Sequence, residues 1–520
     1  MSNNPIPIVD LFAGPGGLGE GFSSILDEKN ERFFRIALSI EKDEFAHKTL
    51  TLRSFVRQFP FNKLPEEYYQ FVRGEIKDVE ELYNLFPEQA KEAKSEAWQF
   101  TLGDGEKYNL LDTRIKKALK GKKDFVLIGG PPCQAYSLVG RARRQEKNLE
   151  KEDVRVYLYR EYYRILAIHK PAVFIMENVK GILSSKVENE SIFKQIIGDL
   201  QDPIEAYKKL HGQEKFYKSK IHYNIYSLVK PPIKDLLGVR PSIEPKDFVI
   251  QSENYGIPQA RHRVILLGIR SDLNVTPDIL KLHGSQIPIE KVLYGLPKLR
   301  SGLSKNKDGK NEWKQAIEDI KNLGFKSQIE PQIWEKMLQV IDNIDLPKED
   351  RGNDFVEWEP ELSYKPDWFL DKNLEGVCNS ETRSHIKEDL WRYLFVSCFA
   401  SVYQRSPKLS DFPEGLLPKH LNINDGKFTD RFRVQNYGQP SKTITSHISK
   451  DGHYFIHPDS EQCRSFTVRE AARIQTFPDN YYFCGPRTQQ FHQVGNAVPP
   501  LLAKQIAEIV KETMQQVPIY

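Results

Sequence analysis

A short apolar run followed at once by a glycine-rich loop constrains the fold of this chain more than any other feature. Residues 6–12 read IPIVDLF and lead directly into AGPGGLGEG at 13–21, after which the pattern becomes helical. Gly14, Gly16 and Gly19 fit the Gly-x-Gly-x-x-Gly spacing. A strand, a glycine loop and a helix in this order suit a ligand that lies on the helix amino terminus. The alternative is a plain tight turn, because glycine-rich turns are common.

Further strand and helix patterns follow in regular alternation. A second strand at 33–40 ends in Glu41, about 20 residues after the loop, where nucleotide-binding units place an acid for ribose hydroxyls. Residues 51–96 predict a helical insertion, and strands are then predicted at 97–102, 125–128, 172–176 and 264–269, with helices at 113–119 and 154–168. Repeated units of this size predict an α/β fold, with a Rossmann-like, mostly parallel sheet.

Two domains are expected, because 520 residues exceed what one core normally supports. From residue 271 the alternation of strand and helix stops, and the segment becomes loop-rich and locally basic. We therefore predict a catalytic domain at 1–270, a smaller irregular domain at 271–464, and a return to the first domain at 465–520. Thr467 and Glu470 predict a capping box that opens a helix there, and Pro499 and Pro500 open a final helix.

Composition narrows the setting without identifying a partner. The 75 Lys and Arg residues nearly balance 71 Asp and Glu, for a formal charge of +4, which excludes a histone-like polycation but permits a local basic face. The five cysteines are scattered, with no zinc-ligand spacing, so we expect reduced thiols and no metal site. No secretory signal or membrane span is evident, which predicts a soluble, cytoplasmic protein.

One cysteine lies where ligands bind in open α/β folds. Cys133 follows the apolar run 125–128 and the turn GGPP at 129–132, so it is expected at the carboxyl edge of the sheet. A lone cysteine is usually buried and inert. Glu177 follows another apolar strand and is expected at the same edge, although it could be a solvated acid. A thiolate and a carboxyl able to hold a proton would form a workable covalent pair.

Arginines add possible oxyanion contacts. Arg261 and Arg263, two residues apart beside Gln259, would share one strand face and could bind a carbonyl, phosphate or carboxylate oxygen. Arg141, Arg143 and Arg144 could contact phosphates. In each case a solvated basic surface is the plainer reading.

Six segments together resemble the DNA (cytosine-5)-methyltransferases. They are DLFAGPGG at 10–17, GPPCQAYS at 130–137, ENV at 177–179, QARHR at 259–263, REAARIQTFP at 469–478 and QVGNAVPP at 493–500. The resemblance implies the S-adenosylmethionine-dependent methyltransferase sheet, with 271–464 as a target recognition domain. It implies cofactor contacts at Phe12, Gly14, Gly16, Gly17, Glu41, Asp104, Pro131 and Asn496. Asp112 is an alternative to Asp104.

The resemblance also implies the catalytic roles. Cys133 would attack carbon 6 of cytosine, Glu177 would bond N3 and the exocyclic amine, Arg263 would contact O2, and Arg261 would support this loop and strand. The target base must leave the stacked duplex for this chemistry. Contacts to double-stranded DNA are expected from Gln134, Ser137, Arg141 and Arg143.

Three other functions stay open at the level of sequence. An NAD-dependent oxidoreductase would use the same glycine loop, a tRNA methyltransferase shares the Pro-Cys nucleophile, and a DNA-binding regulator could retain the fold without activity. The first motif begins at Ile8, so we expect no amino-terminal regulatory region. We therefore expect an enzyme of the bacterial restriction-modification type. We also expect it to be a monomer, and a cognate endonuclease, if one exists, to act separately.

Overall fold

The computed structural model describes residues 5–61, 63–132, 158–187, 190–211, 221–232, 244–305, 307–324, 326–418 and 431–517. Within these ranges eight strands form one central sheet. They are β1 (Ile6–Leu11), β2 (Phe34–Glu41), β3 (Ala97–Gln99), β4 (Val126–Gly129), β5 (Val173–Val179), β8 (Tyr223–Tyr226), β9 (Val249–Gln251) and β11 (His262–Arg270). Short pairs are formed by β6 (Lys186–Val187) with β7 (Glu190–Ser191), β10 (Gln259–Ala260) with β16 (Ser441–Lys442), β12 (Gly302–Leu303) with β15 (Ser384–His385), and β13 (Phe355–Glu357) with β14 (Gly376–Cys378).

The central sheet has the order β3-β2-β1-β4-β5-β11-β8, with β9 paired to β11. Strands β1 to β5 pair in parallel, whereas β11 runs antiparallel to β5. The predicted Rossmann-like α/β fold is therefore confirmed. The strand order reverses between β1 and β4, and ligands of such sheets bind in the crevice outside that switch point.

Helices cover the sheet and build the rest of the described chain. They are α1 (Gly17–Ser23), α2 (Glu44–Arg57), α3 (Glu66–Arg73), α4 (Val79–Leu85), α5 (Pro87–Glu96), α6 (Tyr108–Leu119), α7 (Tyr159–His169), α8 (Ile192–Gln201), α9 (Pro203–His211), α10 (Glu290–Leu293), α11 (Lys310–Glu318), α12 (Pro331–Asn343), α13 (Pro366–Phe369), α14 (Lys387–Tyr403), α15 (Val468–Ile474), α16 (Arg487–Asn496) and α17 (Pro500–Gln515). The predicted insertion at 51–96 thus contains α3 to α5 and the second half of α2, which begins earlier, at Glu44.

Alternation along the strands supplies two apolar layers. On β1, Ile8 belongs to a cluster that includes α1 and α17, whereas its neighbour Val9 belongs to a cluster with α6 and α7. Successive strand side chains point to opposite faces, so the two clusters lie on opposite faces of the sheet. Both faces of the parallel strands are therefore covered, as the near-continuous apolar runs require.

The middle segment has a further apolar cluster of its own. Trp313 of α11, Met337 of α12 and Leu394 of α14 are fully buried within it. Helix α14 is buried over most of its length, as expected for a helix that is apolar on all sides. Leu280, Ile289 and other residues soon after 271 pack instead with the first sheet cluster. The predicted domain boundaries stay predictions.

The chain returns to the sheet through the predicted capping box. The Thr467 hydroxyl accepts the Glu470 N–H at 3.2 Å, and the Glu470 carboxylate accepts the Thr467 N–H at 2.7 Å. Helix α17 then begins at Pro500 and packs against α1. The carboxyl end of the chain therefore supports the helix that follows the glycine loop. No helix of the described residues is long and apolar enough to cross a membrane.

Candidate active site

The glycine loop after β1 is shaped by residues with a left-handed backbone. Phe12, Gly14 and Gly16 have φ angles of 55°, 57° and 98°, which glycine adopts readily and other residues adopt at a cost. A Cβ added at Gly14 would meet no atom of the described residues within 4 Å, so these residues leave space in front of the loop. A Cβ on Gly17 would collide with the Val498 carbonyl oxygen. The loop is therefore open on one side and tightly packed on the other.

Glu41 is fixed at the carboxyl end of β2, beside the glycine loop. One carboxylate oxygen accepts the Gly14 N–H, and the other accepts those of Lys42 and Asp43, each at 2.8 Å. Because the donors are backbone groups already fixed by the fold, only the Glu41 side chain has to be ordered, and three charge-assisted hydrogen bonds define its position. The acid predicted about 20 residues after the loop thus lies directly against that loop.

Glu177 and Arg263 meet at the same edge of the sheet. The Arg263 Nε lies 2.8 Å from one Glu177 carboxylate oxygen, and both side chains are largely buried. A Cβ added at Gly130 would lie 2.8 Å from the other carboxylate oxygen, so a larger residue there would displace the Glu177 carboxylate. Pro131, which follows, is buried. The predicted strand 172–176 would place Glu177 just after its end. In the structure Glu177 is instead part of β5.

The antiparallel direction of β11 brings Arg263 to this edge. In the register of the two strands Arg263 is opposite Val179, and Ile265 is opposite Glu177. A strand that ran parallel to β5 would begin at the far edge of the sheet, away from the carboxyl ends. The beginning of β11 therefore contributes to the site together with the ends of β1, β2, β4 and β5.

Arg261 has a different environment from Arg263. Its guanidinium is fully buried and donates to the carbonyl oxygens of Ile444 at 2.8 Å and Gly495 at 3.2 Å. Burial and the nearby Arg263 lower the pKa of Arg261 well below its usual value, and Glu177 opposes this effect. Arg261 precedes β11, so strand alternation does not decide its direction. Its contacts are those of a residue that joins distant segments.

Buried glutamines complete this junction. The Gln259 amide donates to the Gln475 side-chain oxygen at 2.5 Å and accepts the Ile444 N–H at 2.7 Å. The Gln475 amide in turn donates to the Ala497 carbonyl oxygen. Hydrogen bonds therefore join three of the motifs, at 259–263, 469–478 and 493–500. The bond between Gln259 and Gln475 spans 216 positions, and Gln475 is linked in turn to Ala497.

The two candidate adenine contacts have different surroundings. Asp112 lies on α6, where its carboxylate accepts two hydrogen bonds from Arg164 at 3.1 Å and lies 2.8 Å from His169. Asp104 follows β3, is partly exposed, and lies 2.7 Å from Lys107. Both aspartates are therefore in ion pairs, and the choice of Asp104 stays a prediction. Asn496 is exposed at the last residue of α16, two residues before Val498, which packs on Gly17.

Comparison with known proteins identifies the family that carries this arrangement. A family model described as C-5 cytosine-specific DNA methylase matches residues 89–204 and 246–512, well over half of the chain. The chain belongs to this methylase family. It is a DNA (cytosine-5-)-methyltransferase, as the six motifs predicted.

Relatives of this methyltransferase align over almost its whole length. Type II methyltransferase M.Bpa9945I of Bacillus paralicheniformis is 31% identical, covering 98% of this chain and 99% of the relative. Type II methyltransferase M.DdeI of Desulfomicrobium norvegicum is 26% identical, covering 96% and 87%. Among solved structures, the Entamoeba histolytica methyltransferase EhMeth aligns with a TM-score of 0.44 and 12% identity, covering 98% of this chain and 99% of that one.

Two buried residues beside the glycine loop were not predicted. Asp10 on β1 is fully buried, and neither of its carboxylate oxygens has a hydrogen-bond partner among the described residues. Burial raises the pKa of Asp10 to about 8. The Tyr481 hydroxyl donates to the Pro15 carbonyl oxygen and so holds the glycine loop. An acid within an apolar run was a usable signal for Asp10, whereas no local pattern marked Tyr481.

Several predicted site residues lie outside the part of the methyltransferase that the structure describes. They are the nucleophile Cys133 and the predicted DNA contacts Gln134, Ser137, Arg141 and Arg143. The other four cysteines, Cys378, Cys398, Cys463 and Cys484, are free thiols.

Proposed function

We infer that this methyltransferase transfers a methyl group from S-adenosylmethionine to carbon 5 of a cytosine in duplex DNA, as the modification enzyme of a restriction-modification system. One observation carries the inference. The Glu177–Arg263 ion pair at 2.8 Å lies against Gly130, three residues before Cys133. The ends of β1 and β2, with the glycine loop and Glu41, contribute to the same edge.

The residues on the cofactor side fit S-adenosylmethionine. Glu41 presents a carboxylate fixed by three backbone N–H groups, which suits ribose hydroxyls. The open space in front of Gly14 leaves room for the ligand, and Phe12, Gly16, Gly17, Asp104, Pro131 and Asn496 would complete the contacts. The bound cofactor would supply a methyl group activated by a sulfonium.

Glu177, Arg263 and Cys133 would bind and activate the cytosine. Carbon 5 is a poor nucleophile, so a thiolate at Cys133 would first add to carbon 6 and make the ring electron-rich. Glu177 would hydrogen-bond N3 and the exocyclic amine, and Arg263 would contact O2. After methylation, a base removes the carbon 5 proton, the bond from sulfur to carbon 6 breaks, and the thiolate of Cys133 returns.

The stacked duplex does not give access to carbon 6, so the target base would be flipped out of the helix at a cost of a few kcal/mol. Arg261, with Gln259 and Gln475, would hold the elements around the flipped base in place, since they join four segments of the chain. Residues 271–464 would read the recognised sequence.

Expression in a methylation-free host, followed by bisulfite sequencing, tests this function and gives the recognised sequence. Purified protein should transfer labelled methyl groups from S-adenosylmethionine to duplex DNA and not to tRNA, when both are assayed side by side. Cys133→Ala should lose turnover while cofactor binding is retained, because other loops form the cofactor site.

The matched control is Cys484→Ala, which removes a thiol that is only partly buried and lies outside the site. It should retain activity. Methylation by Cys133→Ala would falsify the nucleophile assignment. Transfer to tRNA alone would identify the enzyme as a tRNA methyltransferase, and binding of NAD without S-adenosylmethionine would overturn the proposal.

A further inference from the structure

A second concave site lies at the junction between the middle segment and the carboxyl-terminal helices. This pocket of about 330 Å³ is lined by the segment from Arg383 to Asp389, the turn from Ser449 to His453, and the first residues of α16. We propose that it binds a backbone phosphate of the DNA substrate through Arg383, Lys450 and Arg487. The proposal rests on the proposed function, because it takes duplex DNA as the substrate.

Arg383 is a buried cation that lacks a carboxylate partner. It is 8% exposed, donates to the backbone carbonyl oxygens of Lys450 and Ile448, and has its guanidinium 4.1 Å from the centre of the Phe491 ring. No carboxylate of the described residues lies within 4.0 Å of it, and its Nε has no hydrogen-bond partner there. Burial lowers the pKa of Arg383 to about 10. An anion in the pocket would offset this cost.

Other buried arginines have two kinds of environment. Arg464 and Arg473, both almost fully buried, each donate two hydrogen bonds to a carboxylate, on Glu470 and Asp479 respectively, as is usual for buried charges. Arg261 and Arg383 instead donate to backbone carbonyl oxygens, and the Nε of each has no hydrogen-bond partner among the described residues. Arg383 also lines the pocket, so an anion that enters the pocket can reach its guanidinium.

The remaining charges of the lining leave an excess of cations. Lys450 is exposed. The Arg487 side chain is 31% exposed, and one of its guanidinium nitrogens lies 3.1 Å from a Glu381 carboxylate oxygen. Of the two lining carboxylates, Asp389 is paired with Arg392 at 2.7 Å, and Asp451 stays partly exposed. Guanidinium and ammonium groups are the usual protein contacts to nucleic-acid phosphates.

Two histidines form a neutral wall of the pocket. The Tyr393 hydroxyl lies 3.3 Å from His385 Nδ1 and 2.7 Å from His453 Nδ1. Burial lowers the pKa of both rings; among the nearby charges, His453 and Arg383 lower that of His385 further, whereas Asp451 and Asp389 oppose the shift at His453. Neither ring therefore contributes charge at neutral pH, and the arginines and Lys450 determine the sign of the pocket.

The pocket lies within reach of the active site along one helix. Arg487 begins α16, and Asn496, the predicted cofactor contact, ends this helix of 10 residues, which is about 15 Å long. The turn Ser446–Ser449 packs along this helix, and Ile444 just before it accepts a hydrogen bond from Arg261. About four base-pair steps of 3.4 Å span the same distance, so a phosphate near the target cytosine would reach the pocket.

The salt dependence of DNA binding tests this site. Replacing one phosphate-contacting cation should reduce the slope of log K against log salt by about 0.9 and weaken cognate and non-cognate DNA alike. We expect this for Arg487→Gln and Lys450→Gln, each tested by fluorescence anisotropy on duplex DNA. In methylation assays the KM for DNA should rise while kcat is retained, which separates phosphate binding from damage to the catalytic residues.

Lys94→Gln is the matched control. It removes an exposed lysine of α5 that is paired with Glu80 at 2.8 Å and lies outside both the pocket and the segment 271–464, so the salt slope should not change. Slopes unchanged in both Arg487→Gln and Lys450→Gln would overturn the pocket assignment while leaving the enzyme function intact. A wild-type protein that neither binds nor methylates DNA would overturn both proposals.

Discussion

Replacement of Glu470 by glutamine tests how strongly one buried ion pair stabilises the return of the chain to the catalytic sheet. The Glu470 carboxylate accepts hydrogen bonds from Arg464 at 2.6 and 2.7 Å and from the Thr467 N–H at 2.7 Å. Both side chains of the pair are at most 4% exposed. Glutamine keeps the shape but removes the charge, so Arg464 would be left as an unpaired buried cation.

The expected loss follows from the proton affinity of Glu470. Burial by itself would raise the pKa of Glu470, but Arg464, His457 and the Thr467 N–H more than offset this and lower it from 4.5 to about 2. This difference corresponds to about 3 kcal/mol of stability in the charged form. The general range for breaking a buried ion pair, about 3–5 kcal/mol, agrees.

The pH dependence has a definite sign. A carboxyl whose pKa is lower in the folded state stabilises the fold fully above its unfolded pKa and progressively less as the pH falls. Because the pKa of Glu470 is about 2 in the folded protein and 4.5 ordinarily, about 1 kcal/mol of this stability is lost between pH 7 and pH 4. The difference between wild type and Glu470→Gln should therefore be about 3 kcal/mol at pH 7 and about 2 kcal/mol at pH 4.

Urea unfolding followed by tryptophan fluorescence at both pH values measures these differences. Glu461→Gln is the control, because Glu461 is 35% exposed and pairs with Lys298 at the surface, where a pair contributes about 0–1 kcal/mol. A Glu470→Gln protein within 1 kcal/mol of wild type at pH 7 would refute the reasoning. A difference that does not shrink between pH 7 and pH 4 would refute the sign.

Two further predictions follow from single atoms of the site. Gly130→Ala should reduce methyl transfer at least tenfold without unfolding the protein, since the new Cβ would lie 2.8 Å from the Glu177 carboxylate. Gly198→Ala should keep full activity in the same assay, because the added Cβ of this helical glycine would meet no described atom within 4 Å. Asp10→Asn should raise the melting temperature at pH 8 but not near pH 4. Burial raises the pKa of Asp10 to about 8, so the stability that the protonated form contributes is lost as the pH rises from 4 to 8. Equal melting temperatures of the variant and the wild type at pH 8 would contradict this.

The local patterns of the sequence predicted the parts of the site that depend on neighbouring residues. The strand, glycine loop and helix at 6–21, the acid at Glu41 and the Thr467–Glu470 capping box all appear where they were expected. Each depends on backbone conformation or burial over a few positions, which residue type and spacing report directly.

Other features depend on which distant segments meet. The sequence did not reveal that β11 runs antiparallel to β5, although this direction puts Arg263 beside Glu177. Nor did it reveal the partners of Arg261, which lie 183 and 234 positions away.

The sequence by itself therefore determined the fold class, the family and the residue types of the chemistry. Only the tertiary structure decided which arginine faces the glutamate and which groups Asp112 and Arg383 contact. The physical reason is that hydrogen bonds and ion pairs depend on distances of about 3 Å, and chain topology alone sets such distances between segments hundreds of residues apart.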